Sequence, residues 1–184
     1  MDQGDARSDE ELMAAYVAGN AAAFHVLFQR YAAVLFRLAR RRLTSDEDAR
    51  DVVQQTLLQL HRARNDFRAG ARLRPWLFTI AMNLVREHYR KQRRRREQSL
   101  ESAPLEAEPV SEPAEAEAAR DRSARVRAAL AGLPDNQREV IELHWFESCP
   151  YEDIAQIVGA SVAAVRVRAH RGYERLREIL PELE

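Results

Sequence analysis

The chain has 184 residues, 46% of them apolar and 32% charged, and its 29 basic and 29 acidic side chains cancel to a formal net charge of zero. That length suits one compact domain or two small ones and excludes a membrane transporter or a large enzyme. No stretch approaches the roughly 18 consecutive apolar residues of a spanning helix, and the acidic start from Met1 to Glu11 lacks the parts of a signal peptide. The single cysteine, Cys149, excludes an internal disulfide or a cysteine-rich zinc module, so a cytoplasmic protein held together by helix packing, without membrane insertion, is expected.

From Ser8 to about Arg96 apolar residues recur three and four apart, and no segment reads as strand. Ser8 and Glu11 form a capping box opening a first helix with Leu12, Tyr16 and Val17, and Gly19-Asn20 closes it and starts a second that runs to about Leu43. In that second helix Phe24, Phe28, Tyr31, Leu35 and Leu38 fall at core spacing. Thr44 or Ser45 caps a third helix, Asp46 to about Ala63, with an apolar stripe of Val53, Leu57 and Leu60. Its polar face, Asp48, Asp51, Gln55 and Gln59, is better suited to a protein partner than to DNA, and an ordinary solvated face is the plainer alternative.

Beyond a loop with Gly70, Pro75 restarts a helix at Trp76 that runs into the arginines 93 to 96. Leu77, Ile80, Ala81 and Leu84 share one side of it, and Asn83, Arg86, Arg90 and Arg93 the other, with Met82 and Tyr89 beside them. Interleaved aromatic, amide and guanidinium groups hold unpaired nucleic-acid strands by stacking and phosphate contact. A solvated basic helix end is the alternative. All basic residues except Lys91 are arginines, the side chain suited to two-pronged contacts with phosphates and guanine edges.

Residues Glu97 to Ala119 contain seven glutamates, three prolines and no basic residue, which predicts a flexible acidic linker. Helices are then expected near 122–132, 135–147, 151–158 and 161–180. The segment Tyr151 to Leu180 fits a helix-turn-helix: a short helix with Ile154, Ala155 and Val158 inward ends at Gly159, and Ser161 caps a longer one. At about 100° per residue, Val165, Ala169, Leu176 and Leu180 face inward, Ala163, Val167, His170 and Arg171 outward, and Arg166, Arg168 and Arg175 flank the outward strip. Such a face puts side chains on base edges and arginines on phosphates, against the alternative of a merely solvated arginine face. Two basic surfaces on one tether suggest contacts at two places on one nucleic acid.

In this order the segments resemble the bacterial sigma-70 family, specifically its extracytoplasmic-function (ECF) group, over nearly the whole chain. Residues 48–56, Asp-Ala-Arg-Asp-Val-Val-Gln-Gln-Thr, resemble region 2.2, which binds the polymerase β′ clamp. Arg74 to Ala81 followed by Asn83, Arg86 and Arg90 is similar to regions 2.3 and 2.4, which open and read the −10 element. Leu133-Pro134 with Gln137 to Val140, then Tyr151 to Ala155, resembles region 4, whose recognition helix reads the −35 element.

The resemblance implies an all-α protein: a region 2-like bundle over 8–96 for core polymerase and −10 binding, a linker over 97–121, and a region 4-like helix-turn-helix over 122–184 for −35 binding. It assigns Asp48, Asp51, Gln54 and Gln55 to the polymerase, Asn83, Arg86, Tyr89, Arg90 and Arg93 to the −10 strand, and Ala163, Arg166, Val167, Arg168, His170 and Arg171 to the −35 duplex. Gln55 stands where the family usually has glutamate, and Cys149-Pro150 replaces the usual leucine-serine before the helix. It further implies core RNA polymerase (β′ clamp and β) and promoter DNA as partners, an anti-sigma protein as inhibitor, a monomer when free, no cofactor, and a linker threading toward the polymerase active site.

Catalysis has little support. His144 and Cys149 have no evident third group, and the five histidines show no metal spacing. Two other readings are a self-sufficient helix-turn-helix regulator, disfavoured by the lack of a dimerising heptad or ligand pocket, and an adaptor whose basic faces contact acidic proteins.

Overall fold

The computed structural model describes residues 5–43, 45–68, 70–98 and 124–180, the side chains at 93 and 95–98 excepted; Thr44 and the 99–121 part of the expected linker lie outside the described residues. Among the described residues all regular elements are helices, and the chain divides into two compact units, Met1–Ser102 and Ala103–Glu184.

The first unit comprises α1 (Asp9–Val17), α2 (Ala21–Arg40), α3 (Asp46–Arg62), a 3-10 turn at Arg64–Asp66 and α4 (Leu73–Gln98). Local chemistry sets three of the four starts. Glu11 N–H donates to Ser8 Oγ at 3.2 Å and Ser8 N–H donates to Glu11 Oε2 at 2.6 Å, and hydrogen bonding from Ser8, its backbone amide first, holds the Glu11 carboxyl below the usual carboxylate range. Asn20 Oδ1 accepts from the amides of Ala22 and Ala23, and Ser45 Oγ from those of Glu47 and Asp48. Asp9 then ties α1 to α2, accepting from Arg30 Nη1 at 2.6 Å and from the Tyr31 hydroxyl at 2.5 Å. Burial, reinforced by the bond to Asp9, pushes the Tyr31 hydroxyl well above the ordinary phenol range.

The bundle core is built from Leu12, Met13, Leu27, Leu35, Leu60, Leu77 and Phe78. A second group, Ala39, Leu43, Ala49, Val52 and Val85, is sealed by Phe36 and Leu84. Helix α2 ends at Arg40, short of the expected Leu43, because the chain turns there to drop Leu43 into that group, and Arg40 Nη1 donates to the Leu43 carbonyl at 2.5 Å.

Two expected faces are rotated. The buried row of α2 is Ala23, Leu27, Tyr31, Leu35 and Leu38, whereas Phe24 is half-buried and Phe28 is 44% exposed. In α3 the inward residues are Ala49, Val52, Thr56, Leu57 and Leu60, with Val53 half-buried at the edge.

The second unit holds α5 (124–131), α6 (Asp135–Trp145), α7 (Tyr151–Val158) and α8 (Val162–Ile179). Leu130, Leu133 and Ile141 pack with Val126, Tyr173 and Leu176, while Leu143, Ile154 and Val165 are fully enclosed. In α7 the inward residues are Asp153, Ile154, Ala155 and Ile157, and Val158 is half-buried rather than inward. Leu176 of α8 and Leu180 at its C-cap are likewise half-buried, since only the first three turns of the helix carry its fully buried positions, Val165, Ala169 and Gly172.

Candidate functional site

Three surfaces gather the residues singled out by sequence. The first is the outer side of α4. This helix begins at Leu73, two residues before Pro75, because Glu10 Oε1 of α1 accepts from the Leu73 amide at 3.0 Å. Pro75 lies in the first turn, where its missing N–H costs nothing. Three helices pack on α4, so its buried arc is wide: Leu73, Leu77, Phe78, Ala81, Met82 and Val85 are all enclosed. Met82 is therefore 1% exposed and belongs to the core, not beside the polar face, whereas Ile80 and Leu84 are only half-buried.

Opposite that arc Asn83, Tyr89 and Arg90 are exposed and Arg86 is half-buried, while the Arg93 side chain lies outside the described residues. Arg86 Nη1 donates to Asn83 Oδ1 at 2.8 Å. The bond engages the Asn83 carbonyl oxygen, and the Nδ2 end of the same exposed side chain is chemically able to donate to base oxygens and ring nitrogens. Tyr89, 40% exposed, offers a ring for stacking.

The second surface lies between α2 and α3. Phe24, Phe28, Ala32 and Phe36 form one wall of an apolar groove and Val53, Leu57 and Leu58 the other, with Arg50, Gln54 and His61 at its lips. Arg50 lies over the Phe36 ring at 6.0 Å, and His61 is hydrogen-bonded to the Tyr16 hydroxyl. Sequence reasoning assigned Phe24 and Phe28 to the core and missed this groove. The available signal was surplus: α2 carries two adjacent apolar rows, and the 23-27-31-35 row already fills the core.

Asp51, Gln54 and Gln55 are all exposed, but only Gln54 lines the groove, and Gln55 lies on the same face of α3 as Asp48, seven residues before it. Asp48 Oδ2 accepts from Gln92 Nε2 at 3.2 Å, and its Oδ1 stands 3.8 Å from His88 Nδ1, so Asp48 pins α3 to α4.

The third surface is the helix-turn-helix of α7 and α8. Gly159 adopts the left-handed conformation (φ 63°, ψ 43°) that ends α7, and Ser161 Oγ accepts from the Ala164 amide at 3.2 Å to start α8. Pro150 occupies the N-cap of α7 and has no side-chain hydrogen bond to give; Glu152 and Asp153 in the first turn face the positive end of the helix dipole instead. Cys149 is 2% exposed, and the His144 ring donates through Nδ1 to the Cys149 carbonyl at 3.0 Å, so the imidazole serves the backbone, not the thiol.

Along α8 Ala163, Arg166, Val167, His170 and Arg171 are exposed and Arg168 is half-buried. Arg166 Nη2 stands 3.9 Å from Glu152 Oε1, and His170 Nε2 stands 3.3 Å from Glu174 Oε1. The inward side crosses α6 so closely that a Cβ on Gly172 would meet Ile141 Cδ1 at 2.5 Å. Sequence reasoning also passed over Trp145 and Phe146, 68% and 45% exposed at the end of α6.

Family models match both units: Sigma-70 region 2 over residues 27–95 and Sigma-70 region 4 over residues 123–176. Among curated relatives, the RNA polymerase sigma factor CarQ of Myxococcus xanthus is 36% identical, covering 88% of this chain and 91% of its own. The ECF RNA polymerase sigma factor SigM of Mycobacterium tuberculosis is 35% identical, covering 95% and 85%. Among solved structures, CnrH in complex with the cytosolic domain of CnrY superposes with a TM-score of 0.73 at 30% identity, covering 96% of this chain and 99% of that one. The sigma factor RpoE of Bartonella quintana, in complex with the anti-sigma factor NepR, gives 0.67 at 27% identity, covering 88% and 98%.

Proposed function

The chain belongs to the sigma-70 family, in its ECF group, and on that premise we propose how its two units divide the work of directing core RNA polymerase to promoters and opening them. The first unit, residues 8–96, docks on polymerase through the α2–α3 groove with Gln54 at its edge, and through Asp51 and Gln55 on the adjoining exposed face of α3. Asn83, Arg86, Tyr89 and Arg90, with Arg93, hold the unpaired −10 strand. The second unit, residues 122–184, lays α8 in the major groove of the −35 element, with Ala163, Arg166, Val167, His170 and Arg171 toward base edges and Arg168 toward the backbone.

The observation that carries this reading is the coexistence, on one small bundle, of an open aromatic groove, suited to a protein, and an amide–tyrosine–arginine face, suited to single-stranded DNA. Exposed apolar surface of this kind marks a docking site. The protein makes and breaks no bonds; it acts by binding, in the cytoplasm where polymerase works. The complexes of CnrH with CnrY and of RpoE with NepR support an anti-sigma protein as its inhibitor.

The test is whether purified protein co-elutes with bacterial core RNA polymerase and starts transcripts from genomic fragments at defined sites. Failure to bind polymerase together with tight unaided binding to duplex DNA would replace this reading by the self-sufficient regulator.

A further inference from the structure

The outward strip of α8 has an apolar crest. Val167 is 48% exposed, and Ala163 and Arg171, four residues to either side, share its row along the helix. The polar groups beside that row are drawn toward carboxylates of the protein itself: Arg166 toward Glu152 at 3.9 Å and His170 toward Glu174 at 3.3 Å. A single exposed valine is unremarkable on most surfaces. At the crest of a helix placed in a major groove it meets base edges, and the one apolar group that those edges present is the C5-methyl of thymine.

Resting on the proposed placement of α8 in the −35 duplex, we infer that Val167, flanked by Ala163, reads a thymine methyl, and that Arg171 reads a guanine about two base pairs away. Four residues of helix advance about 6 Å. Base pairs rise about 3.4 Å, so side chains one helical turn apart on a helix lying along the groove address positions about two steps apart. Arginine and guanine match through two parallel hydrogen bonds to O6 and N7. The upstream element selected by this protein therefore combines a thymine chosen by shape and hydrophobicity with a guanine chosen by hydrogen bonding.

The experiment uses the full chain bound to core RNA polymerase. Promoter fragments randomised upstream of the start site are selected, and each thymine of the selected element is then replaced singly by deoxyuridine, which removes the methyl and leaves the pairing edge unchanged. The expected result is one position, about two base pairs from a guanine, at which uracil weakens binding about fourfold, the equivalent of one buried methyl. Val167→Ala, at an exposed site that the fold does not need, abolishes that difference. Uracil tolerated at all positions, or a thymine preference fully kept by Val167→Ala, overturns the assignment. Arg171→Ala separates it from the placement beneath it. Loss of binding by Arg171→Ala with uracil neutral throughout removes only the thymine assignment. No upstream element selected, or full binding by Arg171→Ala, removes the placement of α8 and the assignment together.

Discussion

Glu10 Oε1 and the Leu73 amide meet at 3.0 Å across 63 residues of sequence, so a carboxylate of α1 caps α4, the helix that presents Asn83. A charged capping bond of this type contributes about 1–2 kcal/mol. Glu10→Ala is expected to lower unfolding stability by that amount and to speed hydrogen exchange of the Leu73 amide. Unchanged exchange at Leu73 would show that the first turn of α4 is held by something else.

Gly172 and Ile141 set the spacing of α6 and α8. Gly172→Ala gains about 1 kcal/mol of helix propensity but pushes on Ile141 Cδ1, and overpacking costs about 1–3 kcal/mol. The net effect expected is a loss of up to about 2 kcal/mol, read from denaturant unfolding of the full chain. Ile141→Val deletes the clashing Cδ1, so in the double variant the Gly172→Ala substitution becomes stabilising. A strictly additive pair would refute the close approach.

Tyr31 is held neutral by burial and by its bond to Asp9, which raises its pKa. The stability linked to it is complete below the ordinary phenol pKa of about 10 and falls as pH rises above that value, where the unfolded chain ionises first. Wild-type stability measured by urea unfolding should drop more steeply between about pH 9.5 and 11 than that of Tyr31→Phe. At neutral pH Tyr31→Phe should cost about 1–2 kcal/mol, since Asp9 keeps its bond from Arg30. Parallel pH profiles would show that another group governs alkaline unfolding.

Asp48 and Gln54 sit six residues apart on α3 and are expected to fail differently. Asp48→Ala removes the pin to Gln92 and lowers stability by about 0.5–1.5 kcal/mol. Gln54→Ala, exposed at the groove, should leave the melting temperature within a degree or so and weaken association with core polymerase severalfold. Binding and melting assays on the two variants distinguish the roles; polymerase binding lost equally by both at equal stability would return Asp48 to the interface.

Asn83→Ala and Arg171→Ala should separate the two DNA contacts. Arg171→Ala is expected to cost about 1–3 kcal/mol at the −35 element and relax specificity there. Asn83→Ala should leave closed-complex affinity nearly intact while lowering the open-complex fraction, followed by permanganate reactivity of unpaired thymines. Equal losses on unrelated DNA by either variant would deny specific readout.

Features set within a few residues were legible from sequence alone. The caps at Ser8, Asn20, Ser45 and Ser161 and the left-handed Gly159 reflect hydrogen bonds or dihedral angles within one turn, so residue type and spacing suffice to see them. The exposed strip of α8 was equally readable, because the side of its first three turns that packs on α6 and α7 is a narrow stripe of small residues, Val165, Ala169 and Gly172. Periodicity gives the angle of a side chain about its own helix, but not how wide an arc the neighbouring helices cover. Three helices crowd α4, which takes Met82 into the core; the outer row of α2 stays open within its unit, which leaves Phe28 44% exposed in the groove. The capping of α4 by Glu10 and the turning of Asp48 toward Gln92 depend on partners 63 and 44 residues away. Such bonds exist only once apolar burial has brought the helices together, which is why the tertiary structure alone decided them.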